Sequence, residues 1–257
     1  MRPYNLLPPE ALNGKGWLVR QDNPVWIPIE ATGRYKHRSL VNASFDEGGT
    51  LLANLKASDG DYSALAKRHD LKDADEVEDF VRDALLADLN EVLFESCTVD
   101  NEEEVNELLK TEAVFSVPAY AQVAGDYIYF NPTPIGRVHE NPLRLPERTF
   151  PVDLTYPRQL MYTTQFKIPE GYAVHEKPKN LRYKLPVDGG HYQRVIEVEG
   201  DILSIQTQFV VKRTVFPPKQ YKYLRQFYDT IVATEAEQVV LKRVSESDGE
   251  EQGGIDL

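Results

Sequence analysis

The sequence has little cysteine and no long apolar run. Cys97 is the only cysteine among 257 residues, so an internal disulfide and a cysteine-based zinc cluster are both excluded. No stretch approaches the roughly 20 apolar residues that a membrane-spanning helix needs. Residues 1–4 lack the charged-then-apolar pattern of a secretion signal. We therefore expect a globular chain with no membrane span.

Basic charge is also scarce. The formal net charge is −12, and it is unevenly distributed. Residues 70–107 contain fifteen acidic residues against two basic ones, Lys72 and Arg82, so this segment alone carries −13. Proteins that bind nucleic acid need a basic stripe to neutralise phosphates. We expect no nucleic-acid partner, and we interpret the acidic run as the solvated face of a helix.

No set of residues has the spacing of a catalytic or ligand-binding motif. The sequence contains no His-Glu-x-x-His zinc motif and no glycine-rich phosphate loop. Residues 100–104 lack the glycine and the closing glutamate of a calcium-binding EF-hand loop. The histidines share no motif with Cys97; they are His37, His69, His139, His175 and His191. We predict no catalytic residue, no cofactor and no metal site, and interpret Cys97 as a buried, unreactive thiol.

Proline, by contrast, is concentrated in one segment. Five of the 17 prolines lie within residues 131–153 together with Gly136, so neither a helix nor a central strand can pass through this segment. We interpret it as a junction between two β-rich units. The fold class that follows is mainly β, with two antiparallel β-sandwich-like domains. The predicted division is lead-in strands at 1–30, a first sandwich at 31–145 with a helical insertion at 61–90, a second sandwich at 146–244 with one helix near its C-terminus, and a disordered acidic tail at 245–257.

Turn signals and periodicity support this division in the first half. Residues 37–45 and 50–57 flank an Asp-Glu-Gly-Gly turn, which is typical of a β-hairpin. Alternation then directs Val41, Ala43 and Phe45 toward a core. In the insertion we predict a short helix at 62–68 and a longer one that begins at Asp73, with Glu76 in the capping-box position.

The second half alternates strongly between apolar and polar residues. Short strands are predicted at 161–168, 172–176, 181–185, 191–199, 202–215 and 237–244. Such strands at about ten-residue spacing, with turns between them, are typical of an antiparallel sandwich. Pro217 and Pro218 then set the first turn of a helix whose apolar face carries Leu224, Phe227 and Ile231.

Tyrosines in or beside the predicted strands suggest one possible ligand surface. Exposed tyrosines on a sandwich face can stack on sugar rings. The competing interpretation is packing between neighbouring strands. The candidate residues are Tyr127, Tyr129, Tyr162, Tyr183 and Tyr192.

Several short motifs, in this order and spacing, resemble one protein family. They are Leu6-Leu7-Pro8-Pro9, Leu12-Asn13-Gly14-Lys15-Gly16, Tyr129-Phe130-Asn131-Pro132, Glu140-Asn141-Pro142, Arg148-Thr149-Phe150-Pro151-Val152-Asp153, Ile168-Pro169-Glu170-Gly171-Tyr172, Phe216 with Tyr221, Leu224, Phe227 and Tyr228, and residues 237–242. The family is the bacterial transglutaminase-like proteins, whose papain-like core is flanked by uncharacterised β-sandwich domains. The resemblance spans residues 6 to about 242.

The resemblance implies a non-catalytic region that follows a transglutaminase-like core, with residues 1–30 adjoining that core. The catalytic Cys, His and Asp of the family belong to the core, and Cys97 does not align with the nucleophile. Family members are generally exported, which implies a periplasmic or cell-surface location. The leading hypothesis is an accessory region that positions the core or contacts a protein partner. A carbohydrate- or peptide-binding sandwich and a cryptic hydrolase are the alternatives.

Overall fold

The computed structural model describes Pro3 and residues 5–244; the predicted acidic tail at 245–257 lies outside the described residues. The first half contains the strands β1 (Gly14–Leu18), β2 (Val25–Ile29), β3 (Tyr35–Phe45), β4 (Leu51–Gly60), β5 (Leu93–Asp100), β6 (Leu109–Val117), β7 (Gln122–Ala124) and β8 (Tyr127–Phe130), with the helices α1 (Asp61–Asp73) and α2 (Val77–Leu85). The second half contains β9 (Val152–Asp153), β10 (Arg158–Lys167), β11 (Tyr172–Glu176), β12 (Leu181–Leu185), β13 (Gly190–Glu199), β14 (Ile202–Val211), β15 (Val215–Phe216), helix α3 (Tyr221–Glu235) and β16 (Val239–Arg243). The mainly β prediction is confirmed.

One eight-stranded sheet organises the fold. Its strand order is β12-β13-β14-β10-β3-β4-β6-β5. Every neighbouring pair is antiparallel except β10 and β3, which run parallel with Arg158 opposite Tyr35. The junction therefore lies between strands of one continuous sheet, and the predicted boundary at 145/146 does not separate two sheets. The backbone N–H and C=O groups at the edges of β3 and β10 hydrogen-bond to each other, so neither of these two strand edges is left exposed.

Two groups of elements cover the same face of this sheet. A four-stranded sheet, β11-β16-β8-β7, shares a core with its central strands and with α2. Helix α3 packs on β12, β13 and β14. On β13, Ile196 contributes to the first core and Tyr192 to the second, and their even spacing places both side chains on one face. The opposite face carries polar side chains such as Gln165 and Gln206, as a half-solvated antiparallel sheet allows.

The first hairpin forms where the sequence predicts it. Phe45 pairs with Leu51, and the Asp46 carboxylate accepts hydrogen bonds from the backbone N–H groups of Gly48 and Thr50. The helical insertion differs from the prediction, because α1 is the longer helix and extends to Asp73. Ala74 is extended (φ −80°, ψ 144°), so α1 ends at Asp73, and the N-cap residue of α2 is Glu76 instead of Asp73. The apolar face of α2 is buried at Phe80, Val81 and Leu85.

Gly136 in the junction allows the Tyr162 ring to lie against the backbone. Gly136 has a φ of +71°, and a Cβ atom there would overlap the ring of Tyr162. Gly125 has a comparable φ of +60°, with nothing within 4 Å of a Cβ. Both positions therefore carry the same backbone penalty for alanine, and only Gly136 adds a collision.

We expect Gly136→Ala to lower the free energy of unfolding by about 1–3 kcal/mol more than Gly125→Ala, which is the usual cost of overpacking a core. Urea unfolding of both variants and of the wild type measures this difference. Equal decreases in the free energy of unfolding for the two variants would show that the junction relaxes around Tyr162 at little energetic cost.

Candidate functional site

Four reactive side chains meet beneath α1. Register places His37 on β3 opposite Asp59 on β4. Helix α1 begins two residues after Asp59, so Ser63 and Lys67, one turn apart, point back to the same carboxylate. His37 and Lys67 are each 5% exposed, and Asp59 and Ser63 are fully buried. The chain thus brings a serine, a histidine, an acid and a lysine together in its interior.

The Asp59 carboxylate is the centre of this network. Its Oδ1 accepts hydrogen bonds from His37 Nδ1 at 2.8 Å, Ser63 Oγ at 2.5 Å and Lys67 Nζ at 2.9 Å. Its Oδ2 accepts a second bond from Lys67 at 3.0 Å. Ser63 donates to the acid and not to the histidine. This arrangement differs from a catalytic triad, in which the histidine lies between the serine and the acid.

Burial and pairing act in opposite directions on these groups. Desolvation raises the pKa of Asp59, but the hydrogen bond from His37 and the charge of Lys67 outweigh it, so the pKa lies below its ordinary value. Desolvation lowers the pKa of His37 and of Lys67. The network is therefore a buried ion pair between Asp59 and Lys67 to which Ser63 and His37 add hydrogen bonds, and this closed arrangement suits a structural role better than proton transfer with solvent.

A second buried acid lies at the end of α3. Glu235 is 3% exposed, and its Oε2 accepts a hydrogen bond from the Val138 N–H at 2.5 Å. Burial raises the pKa of Glu235 to about 7, although that N–H and the charges of Arg137 and Arg194 oppose the shift. Arg194 also binds the backbone carbonyl of Thr234. These contacts connect the junction, β13 and α3.

The chain also has an open cleft beside α1. It has a volume of about 620 Å³ and lies between α1, residues 9–10 of the lead-in and the loop that joins β5 to β6. Tyr62 and Tyr156 are stacked in its wall, with ring centroids 4.7 Å apart and an interplanar angle of 11°. Arg68 fixes the loop by donating to the backbone carbonyls of Asn101, Glu104 and Glu107.

The five candidate tyrosines lie in different parts of the fold. Tyr127 and Tyr129 alternate with buried residues on β8 and share the outer face of the small sheet, with centroids 6.1 Å apart. Tyr192 is 1% exposed, and Tyr183 packs on Phe227 of α3. Tyr162 packs against the first core, and burial raises its pKa. Tyr162, Tyr183 and Tyr192 therefore do not form one surface with Tyr127 and Tyr129.

Cys97 is partly buried on the edge strand β5. Burial, with a smaller effect from Glu78, raises the pKa of its thiol to about 11. The thiol is thus protonated at neutral pH, which makes it a poor nucleophile.

In the part of the chain that the structure describes, no group of three or more His, Cys, Asp or Glu side chains is placed to hold a metal ion. No helix in that part is long and apolar enough to cross a bilayer.

The sequence contained a signal for the Asp59 network that its motifs did not reveal. His37 and Ser39 have the same strand parity as Val41 and Ala43, so alternation already directs them toward the core. A histidine at a core position needs a partner. The cleft, in contrast, has no sequence signal, because its walls come from four segments that are distant in the sequence.

Comparisons with known proteins give limited similarity. No curated protein matches the chain. A crystal structure described as that of a putative protease from Parabacteroides distasonis ATCC 8503 is similar, with 12% sequence identity and a TM-score of 0.39. The similarity covers 47% of this chain and 24% of that chain, so this chain spans only a small part of that protein.

The sequence of one region matches a known family. Residues 126–241 match the Domain of Unknown Function with solved-structure structure (DUF3858). The match begins just before β8 and ends within β16, so it includes the junction, α3 and the four strands of the large sheet from the second half. This region, somewhat less than half of the chain, is similar to that family.

Proposed function

We propose that this chain is a non-catalytic accessory region of an exported transglutaminase-like protein, in which it positions the catalytic core or contacts a protein partner. The arrangement around Asp59 is the main support. Ser63, His37 and Lys67 all direct their polar atoms to one buried carboxylate, so the reactive groups that meet here stabilise the fold. The raised pKa of Cys97 agrees with this role.

The resemblance supplies the rest of the proposal. Its motifs extend across most of the chain, and the match to a domain of unknown function at residues 126–241 is compatible with an accessory region. The catalytic core, the export and the periplasmic or cell-surface location are parts of the proposal that come from the resemblance. An accessory role requires that the core lie elsewhere in the same polypeptide or in a partner.

A transamidation assay tests the non-catalytic role. We expect no product when the purified chain is incubated with a glutamine-containing peptide and a primary amine, for the wild type and for Cys97→Ala alike. Turnover by the wild type that Cys97→Ala abolishes would overturn the proposal. A papain-like core encoded in the complete natural reading frame would support the proposed link to a transglutaminase-like protein. Cleavage of the natural protein by protease added to intact cells would support the proposed export.

A further inference from the structure

We infer that the cleft beside α1 binds a free amino acid or short peptide that carries a large apolar side chain and both terminal charges. The cleft has a volume of about 620 Å³, within the range of small-ligand sites. Its lining combines an apolar floor with a buried cation and a row of carboxylates, and each part selects one feature of the ligand.

The floor of the cleft is apolar and aromatic. Leu65, Ala66 and Val105 are half-buried and line it together with the stacked rings of Tyr62 and Tyr156. The stack continues to Tyr35, whose ring lies 5.7 Å from that of Tyr156, so the aromatic wall is supported from behind. A preformed aromatic wall favours a large apolar group, because few side chains of the wall lose conformational entropy when the ligand binds.

Arg68 provides a fixed donor for an anionic group. It is 6% exposed, and its side chain is held by Nε and Nη2, which donate to the carbonyls of Asn101, Glu104 and Glu107 at 2.8–3.2 Å. The remaining guanidinium nitrogen, Nη1, makes no hydrogen bond to any of the described residues. A buried guanidinium with a remaining donor, in the wall of a cleft, suits a carboxylate, and Lys72 lines the same cleft.

Carboxylates at the rim of the cleft are suited to bind the positively charged group of the ligand. Glu102 and Glu103 are exposed and lie in the loop that Arg68 holds, and Glu10 of the lead-in lines the same cleft. The Asn101 amide donates to the Leu108 carbonyl at 2.9 Å, which further fixes this loop. A cation and anions at one apolar cleft favour a zwitterion over a ligand with a single charge.

The dipeptide Phe-Ala and its two capped forms test the ligand class. We expect saturable binding of Phe-Ala to the full chain, measured by NMR shifts of residues in α1 and the loop at 102–105, with a dissociation constant on the order of 1 mM or lower. N-acetylation removes the ammonium and C-terminal amidation removes the carboxylate. Each cap should weaken binding about tenfold, as expected for one charge-assisted hydrogen bond.

Two sets of variants test the location. Ala66→Trp fills the cleft and should abolish the shifts, whereas Ala233→Trp, on the exposed side of α3, should leave them unchanged. Glu102→Gln with Glu103→Gln, on an exposed loop, should weaken Phe-Ala and leave the N-acetylated form unaffected. Circular dichroism confirms that each variant is folded.

Absence of saturable shifts for all three peptides, or binding that Ala66→Trp leaves intact, would overturn the inference. So would equal affinity for the capped and uncapped forms. The proposed accessory function would survive any of these three results, because it does not require this cleft. Consumption of Phe-Ala by the wild type, in contrast, would contradict the accessory function while leaving the site in place.

Discussion

Asp59→Ala is expected to lower the free energy of unfolding by about 3–5 kcal/mol, the usual cost of breaking a buried ion pair by removing one partner. The variant leaves the Lys67 ammonium 5% exposed with no carboxylate, and it leaves Ser63 without its acceptor. Because these groups cannot reach water without unfolding the start of α1, the loss falls on global stability. Urea unfolding followed by circular dichroism measures it.

An exposed ion pair that involves the same strand provides the control. Lys56 on β4 lies 3.1 Å from Glu112 on β6, and both side chains are more than half exposed. Glu112→Ala should therefore cost no more than about 1 kcal/mol. If Asp59→Ala and Glu112→Ala had similar costs, the Asp59 network would not be a structural lock, and the case for a non-catalytic role would lose its main support.

Glu235→Gln is expected to stabilise the protein by about 3 kcal/mol above pH 8 and to have little effect near pH 4.5. Burial raises the pKa of Glu235 from 4.5 to about 7 in the folded protein. A raised pKa contributes stability that is fully present below the unfolded value and is lost as the pH rises through the folded value. Glutamine keeps the neutral shape and does not ionise, so it avoids that loss.

Unfolding midpoints of the wild type and of Glu235→Gln, measured from pH 4.5 to 9, test this sign. The difference between them should develop as the pH rises from about 4.5 to about 7 and stay constant above that. Glu170→Gln, in the exposed turn before β11, should follow the wild type at every pH. A constant difference across the range would mean that Glu235 remains ionised in the folded protein throughout.

Local patterns predicted the local structure of this chain. The Asp-Glu-Gly-Gly turn fixes the β3–β4 hairpin, because the Asp46 carboxylate binds the turn backbone, and β11 and β12 have the predicted bounds. The same patterns could not predict which distant strands pair. Alternation describes one strand at a time, and nothing in β3 or β10 specifies the other as its neighbour.

The candidate site follows the same division. Strand parity groups His37 with the core residues Val41 and Ala43, a signal that the search for motifs did not use, and its carboxylate partner becomes apparent only from the hairpin register. Lys67 becomes apparent only from where α1 begins. The tyrosines were predicted as a group, yet strand parity and α3 distribute them between a surface and the interior. Proximity across the fold was the missing information in each case.

The parallel pairing of β3 and β10 has a consequence for how the chain acquires its structure. Neither strand can dock until the intervening helices, hairpin and proline-rich segment have been synthesised, so the central contact has a high sequence separation and closes late. Until then β3 has a bare edge that can recruit other chains. The first half therefore cannot complete its sheet before the second half is synthesised, and the two halves complete their folding in one shared step.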